Sequence, residues 1–450
     1  MTVIHSPVPH AAGGRRQGWS WAGLYPWYVT LLLSFTHLMS LVDRHLLGVV
    51  LVDVKAELQL SDTQLGLLYG SGFALLYSVI SLPLGQLADR VNRKNLIAAG
   101  LSLWTFATVV TAFSTSFESF FLLRMLVGIG EACLVPAGMS LLMAIMPGHL
   151  IARATAIFAT GGGQGRAAAL LIGGPLLTAF AAMGGITLLG EHLSPWRGVF
   201  LLAGLPGLPL VVLLLLLKEP RRGDQAPQLR IIDTLRAMKP RARAYFFHFS
   251  SFTMVATVIW ALSAWALSLF VREHGLSAAQ AGLVLGTVAV VTGPTGNLLG
   301  GWLLDRLTLM GVRGGPPLLV GAVLWLGIPP ALLFCLAGDV RLAIAGYATL
   351  QFVMAFANAP GWMGTQLLSP PENRGIVMAL FVACYTSISI GIGPVIVGLL
   401  SDHVFTGQDS LGGGLLTTLI FVAVLGGTLA LVGRRTFIAI VGAPDRGDAA

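Results

Sequence analysis

The sequence predicts an all-α membrane protein, with twelve transmembrane helices in two pseudo-symmetric six-helix bundles. Composition is the first reason. Of 450 residues, 55% are hydrophobic and only 10% are charged, where a soluble globular chain carries about 25% charged residues. Twelve spans of about 20 residues need roughly 240 apolar positions, close to what the chain holds. Disorder and an ordinary cytosolic enzyme are excluded by the same figures. The second reason is the recurrence of spanning-length apolar runs, and the third is an internal repeat.

The spans fall at about 24–52, 63–88, 95–115, 118–146, 151–181, 196–217, 245–271, 278–304, 316–337, 341–368, 373–401 and 412–434. The only long polar interruption is 218–244. It divides the chain into an N-terminal tail (1–23), a first bundle (24–217), a linker (218–244), a second bundle (245–434) and a C-terminal tail (435–450). In the linker, Leu229, Ile232, Leu235 and Met238 recur at helical spacing among basic residues. That pattern suits an amphipathic helix on the membrane surface; a plain charged linker is the simpler reading.

Loop charge sets the orientation. With the N-terminus in the cytoplasm, twenty of the 27 Lys and Arg lie in cytoplasmic segments and four in outer ones. This asymmetry is the positive-inside pattern, with both termini cytoplasmic. The net charge of +8 is therefore explained by a bilayer face, with no nucleic acid required. Cys133, Cys335 and Cys384 all lie in apolar runs, without disulfide or metal-ligand spacing. Arg15 and Arg16 are not followed by an apolar stretch and small-residue cleavage site, so no cleaved signal peptide is expected.

The repeat pairs Gly85, Asp89 and Arg90 with Gly301, Asp305 and Arg306, at a constant offset of 216. Both copies close a span at a cytoplasmic end. Gly173-Gly174-Pro175 and Gly391-Ile392-Gly393-Pro394 occupy matching places later in each half. Duplicated six-helix halves suggest a transporter in which one half rocks against the other. The glycine permits close helix approach, and the Asp can face a helix N-terminus in one state and leave it in another. A topology anchor is the alternative role.

Gly85-Gln86-Leu87-Ala88-Asp89-Arg90-Val91-Asn92-Arg93-Lys94 resembles the loop 2–3 signature of the major facilitator superfamily, and Arg124 through Ala132 resembles its helix 4 motif. Val42-Asp43-Arg44-His45, Gly130-Glu131-Ala132-Cys133 with Pro136, and Gly393-Pro394-x-x-x-Gly398-x-x-Ser401-Asp402 are similar to spinster-type lipid transporters, including bacterial members. Gln164-Gly165-Arg166 departs from the pattern, placing an arginine where small or apolar residues are expected. The resemblance implies alternating access, a cavity lined by helices 1, 4, 7 and 10, proton coupling, and sphingolipid or lysophospholipid cargo. An inner-membrane location and a monomer are expected. No cofactor is expected.

Charge inside the hydrocarbon points to the mechanism. Asp43, Arg44, Arg124, Glu131 and Arg166 are the five charged residues well inside the spans, away from their ends, and all are in the first half. An intramembrane acid costs about 2.5–3.5 kcal/mol on insertion scales, so function is the default reading. At 1.5 Å per residue, Asp43 lies about 14 Å below the outer boundary, Arg124 about 9 Å and Glu131 about 20 Å deep. Asp43 thus sits at a depth between Arg124 and Glu131. Arg124 and Glu131 share a helix face two turns apart, with room between them for Asp43, water or a headgroup. Arg44 projects about 100° away from Asp43. In the functional reading Asp43 and Glu131 exchange protons, and an arginine released by protonation holds a phosphate. A permanent salt bridge between helices 1 and 4 is the structural alternative.

Arg166 either faces an anionic headgroup or only packs. His37 and His45 either join the proton path or serve as uncharged polar groups. Trp260 and Trp265 (helix 7), Phe352, Phe356, Asn358 and Trp362 (helix 10) and Tyr385 (helix 11) offer an apolar, aromatic wall for a lipid tail; each of them could equally be packing. Drug/proton antiport and organic-anion symport are the competing transport readings. An enzyme is not expected: the sequence lacks His-x-x-x-His, Gly-x-Ser-x-Gly and metal-ligand clusters, and Gly161-Gly162-Gly163-Gln164-Gly165 lacks the context of a phosphate loop.

Overall fold

A computed structural model describes residues 21–441, apart from 89, 189, 220–230, 371–372, 406 and 408–409. The described residues form a helical bundle. Helix 1 is Trp21–Leu58. Helix 2 comprises Asp62–Gly66, a π-helical turn Leu67–Ser71, and Gly72–Ala88. Helix 3 is Arg93–Thr111, helix 4 is Phe117–Glu131 continued by Leu134–Ile145, and helix 5 is Ile151–Ala182. Helix 6 is Pro195–Gly204 with Gly207–Leu215, helix 7 is Ala242–Arg272, and helix 8 is Ala278–Leu309. Helix 9 joins Gly315–Leu326 to Ile328–Leu336, and helix 10 joins Val340–Ala355 to Asn358–Leu368. Helix 11 is Arg374–His403 and helix 12 is Ser410–Val441.

Eleven of these are long and apolar enough to cross a membrane. Helix 3 is the exception: its 19 residues open on Arg93 and Lys94 and repeat Ser102, Thr105, Thr108 and Thr111. Those hydroxyls lower its hydropathy, and two of them, Ser102 and Thr111, bond back to carbonyls four residues earlier in the helix. Two features were not anticipated from the sequence. A hairpin pairs β1 (Ile186–Leu188) with β2 (Glu191–Leu193) between helices 5 and 6. Helices 4, 6, 9 and 10 are each interrupted, at or beside Cys133, Pro206, Gly327 and Ala357. In the linker, Ile231–Met238 is helical. Its buried Thr234 bonds Asn373 Oδ1 at 3.1 Å. Leu229 lies outside the described residues.

The two halves meet along helices 1 and 7, 2 and 11, and 5 and 8. Glycine makes the approach possible. A Cβ on Gly66 would stand 2.6 Å from the Pro394 carbonyl oxygen, and one on Gly282 would stand 2.5 Å from that of Leu170. These contacts lie toward the end that bears the 59–61 and 273–277 connections. The largest core cluster spans both halves there, from Val50 and Trp196 to Trp265, Phe270 and Tyr347. Toward the opposite end the core divides. One cluster fills the first half (Leu33, Trp104, Leu141, Leu214), joined by Ile390 of helix 11, and a small one fills the second (Tyr245, Leu368, Phe437).

Candidate functional site

Helix 1 presents Ser40 and Arg44 one turn apart, on one face. Both reach Glu131 Oε2 of helix 4: Ser40 Oγ donates at 2.7 Å and Arg44 Nη2 at 2.5 Å. The Arg44 guanidinium also lies 4.0 Å from the Phe73 ring centroid and 5.2 Å from that of Tyr77, both on helix 2. Such aromatic faces stabilise a desolvated cation. Asp43, on a different face, accepts from Thr108 Oγ1 of helix 3 at 2.8 Å.

The four charged groups are all buried: Asp43 is 4% exposed, Arg44 7%, Arg124 1% and Glu131 2%. Of the groups expected between Arg124 and Glu131 (Asp43, water or a headgroup), Asp43 hydrogen-bonds neither of them among the described residues. Arg44 takes the Glu131 carboxylate, because Ser40 and Arg44 share the face that helix 1 turns to helix 4. Arg124 is in hydrogen-bonded ion contact with neither acid among the described residues. Asp43 Oδ1, Glu131 Oε1, Arg44 Nε, and Arg124 Nε and Nη2 are buried without hydrogen-bond partners. Unsatisfied buried groups are costly. Inside a membrane, charged groups with unmet bonding capacity mark a functional site by default.

Beside the cluster, between the halves, lies a cavity of about 310 Å³. His45 forms part of its wall, with Nδ1 2.9 Å from Tyr69 Oη and its ring stacked on Trp260 at 5.0 Å. Trp260 also stands 6.0 Å from the Arg44 guanidinium, so the same indole faces both the cavity and the ion pair. Phe252, Trp362 and Tyr385 supply aromatic wall. Arg166 of helix 5 lines the cavity and donates to Ser263 Oγ of helix 7 at 3.2 Å.

Of the six sequence-selected substrate contacts, Arg166, Trp260 and Tyr385 line the cavity. Arg44 and Arg124 do not, being enclosed in the cluster. Phe356 is also off the wall: helix 10 breaks beside it, and it packs on Phe352 at 5.0 Å and against helix 8 at Gly300. Trp265 is fully buried, donating to the Pro394 carbonyl at 3.0 Å. His37 stacks on Phe158 at 4.6 Å and packs helix 1 on helix 5. The cavity is more polar than expected, since Thr292, Asn297, Gln351 and Asn358 face it. Asn358 was among the residues expected on the wall; Thr292, Asn297 and Gln351, with Ser40 and Thr108, were missed because the sequence reading weighed charges, and uncharged polar residues in apolar runs would have flagged them.

At the repeated glycine motifs, Gly85 lies against Pro136 and Gly301 against Ala359, each within its own half. Arg90, Asp305 and Arg306 are exposed. Asp89 lies outside the described residues. Arg93 and Lys94 are not free surface charges. Arg93 Nε pairs with Glu219 at 2.8 Å, and Lys94 Nζ caps the Leu215 and Leu217 carbonyls at 2.8 and 2.5 Å.

A second set of polar links between halves, beyond Arg166 to Ser263, sits at the opposite end and was not anticipated. Asp62 Oδ1 accepts from Lys55 Nζ at 2.5 Å and Arg272 Nη1 at 2.9 Å, and Oδ2 from Ser401 Oγ at 2.8 Å. Asp402 accepts from the Thr63 amide at 2.7 Å and the Asp62 amide at 3.1 Å, capping the start of helix 2.

Two six-helix halves around a central cavity in a chain of membrane-spanning helices define an integral membrane transporter. Residues 33–394 match the Major Facilitator Superfamily, and the chain belongs to that family; it is a transporter and not an enzyme. It is 26% identical to an MFS-type efflux pump of Mycolicibacterium smegmatis, over 92% of both chains. It is 26% identical to Protein spinster of Drosophila melanogaster, over 67% of this chain and 51% of that protein. The fold matches a bacterial homolog of the human lysosomal transporter Spinster, crystallised inward-facing and unoccupied. The TM-score is 0.81 at 22% identity, covering 96% of this chain and 100% of that one.

Proposed function

We propose that the chain is a proton-coupled secondary transporter of amphiphilic lipids, of the sphingolipid or lysophospholipid class, working by alternating access in a bacterial inner membrane. One observation carries this reading. The buried Asp43, Arg44, Arg124 and Glu131 cluster sits directly behind the Trp260 wall of an aromatic-rich cavity. Protonating Glu131 removes the counter-ion of Arg44, which lies 6.0 Å from the cavity-lining Trp260 ring. Proton binding and headgroup binding then draw on the same cation. Asp43, which has Thr108 as a hydrogen-bond partner, is the second exchangeable acid.

The joined core at one end and the divided core at the other support reading this as an inward-facing state, in which the ends of helices 2 and 8 that carry Gly85 and Gly301 face the cytoplasm. Those segments act as gates that meet in the opposite state. Organic-anion symport is the second reading, favoured by the Asn297–Asn358 hydrogen bond of 2.7 Å at the cavity, which a small polar solute can use.

Reconstitution into proteoliposomes under an imposed pH gradient tests the first reading. Labelled lysophospholipid should move with the gradient in the parent chain. Both Asp43→Asn and Glu131→Gln should lose gradient-driven movement. Full retention by both overturns the coupling, and movement of small carboxylates in place of lysolipid favours the second reading.

A further inference from the structure

Arg166 has an unusual set of partners for a cation in a membrane. No carboxylate among the described residues forms an ion pair with it. Its acceptors are neutral and lie on the other half. Ser263 Oγ of helix 7 is one. The second is Gln351 of helix 10, a residue only 4% exposed. Assigned so that its oxygen faces the guanidinium, the orientation that the surrounding donors require, the Gln351 amide accepts from Nη1 at 2.5 Å and Nη2 at 2.6 Å, and from Tyr347 Oη at 2.8 Å. The reverse orientation sets an NH₂ against guanidinium donors, which have no acceptor capacity.

One oxygen shared by both terminal guanidinium nitrogens occupies the end of the fork where an oxyanion binds, with a neutral amide in the anion's place. Charge arithmetic points the same way. Asp43 and Glu131 balance Arg44 and Arg124 when both acids are ionised, so Arg166 leaves the central region with one uncompensated positive charge.

We infer that Arg166 and Gln351 form an oxyanion site in which the Gln351 carbonyl is a placeholder. An anionic group on the cargo, phosphate or carboxylate, displaces the amide and takes the fork. The exchange swaps a link from helix 5 to helix 10 for one that runs through the cargo. Occupancy is thereby sensed where the halves face each other. This site rests on the transport reading for its purpose, while the identity of the tail is separate from it.

The test is calorimetric binding to protein in nanodiscs, with three probes: octyl phosphate, glycerol phosphate and octyltrimethylammonium. Octyl phosphate should bind and the ammonium should not. Arg166→Gln should weaken octyl phosphate at least tenfold. Gln351→Glu should do the same, because it supplies a fixed internal carboxylate. Gln351→Ala should bind as tightly as the parent or tighter, and Arg166→Lys should retain part of the affinity. Size-exclusion and thermal unfolding profiles check that each variant is folded; the gain or retention in Gln351→Ala cannot come from misfolding. Affinity within twofold of the parent in Arg166→Gln or Gln351→Glu, or no phosphate probe bound by the parent, overturns the site. Equal binding of glycerol phosphate and octyl phosphate, with the same Arg166 dependence, supports the site and defeats the lipid reading. Octyl phosphate binding that ignores Arg166 does the reverse.

Discussion

Arg44 Nη2 lies 2.5 Å from Glu131 Oε2 in a pair that is nearly sealed from solvent. Buried pairs are asymmetric in energy: removing one partner strands the other charge, at about 3–5 kcal/mol. Glu131→Ala should therefore lower the thermal unfolding temperature of the purified protein markedly. Glu131→Gln, which keeps an acceptor for Ser40 and Arg44, should lose much less. Arg44→Ala combined with Glu131→Ala should recover most of the stability, since neither member of the pair is left without its counter-ion. Equal losses in Glu131→Ala and the double variant would show that the pair is not coupled.

Thr108 donates the 2.8 Å hydrogen bond that Asp43 Oδ2 accepts from the protein. Hydrogen bonds to a buried charged group are worth about 1.5–3 kcal/mol. Thr108→Val keeps the shape and deletes the donor. It should alter the pH dependence of transport, and Thr108→Ser should restore the parent profile. A parent-like profile in Thr108→Val would separate Asp43 from the coupling.

Intramembrane charge made the candidate site legible in the sequence, because a charged side chain in hydrocarbon needs a reason. The pairing was not legible. Whether Arg44 or Arg124 meets Glu131 depends on how helices 1 and 4 are rotated, and adjacent residues on one helix differ by about 100°. The helix set was legible from hydropathy, with ends set by where the apolar run stops. Helix 1 nevertheless continues to Leu58 through Lys55 and Glu57. Backbone bonds propagate past the hydrocarbon edge, where polar side chains find partners such as Trp196 and Arg197, both of which bond Glu57. Arg166 stood out as an anomaly, but its neutral partner Gln351 sits in the other half, beyond the reach of local pattern.

Asp62 gathers Lys55, Arg272 and Ser401 at the closed end, and two of these come from the second half. The carboxylate is 1% exposed as a residue, so its truncation leaves two cations short of a partner. Asp62→Asn and Arg272→Ala should each shift the population toward opening at this end. Spin labels at the exposed Gln59 and His403, in a cysteine-free background, report it by pulsed dipolar distances. The variants should show a longer component. A distribution unchanged in both would reduce the network to local packing.

Gly66 and Gly70 let helix 2 lie directly on the backbone of helix 11. At Gly66 an added Cβ stands 2.6 Å from the Pro394 carbonyl oxygen and 2.9 Å from Val395 Cα; at Gly70 it meets the Ile390 carbonyl oxygen. Backbone atoms cannot rotate aside, so the two helices must separate. Separation also breaks the 2.6 Å bond from Ser71 Oγ to the Gly391 carbonyl. Gly66→Ala and Gly70→Ala should therefore disfavour the closed end without disturbing either half. The fold should survive, with the unfolding temperature near the parent, while the Gln59–His403 distance lengthens and transport slows because one state of the cycle is under-populated. Gly163→Ala is the control, since nothing stands within 4 Å of its added Cβ. It should leave the distance distribution as in the parent; if the Gly66 and Gly70 variants match it, close helix 2–helix 11 contact is not what closes this end.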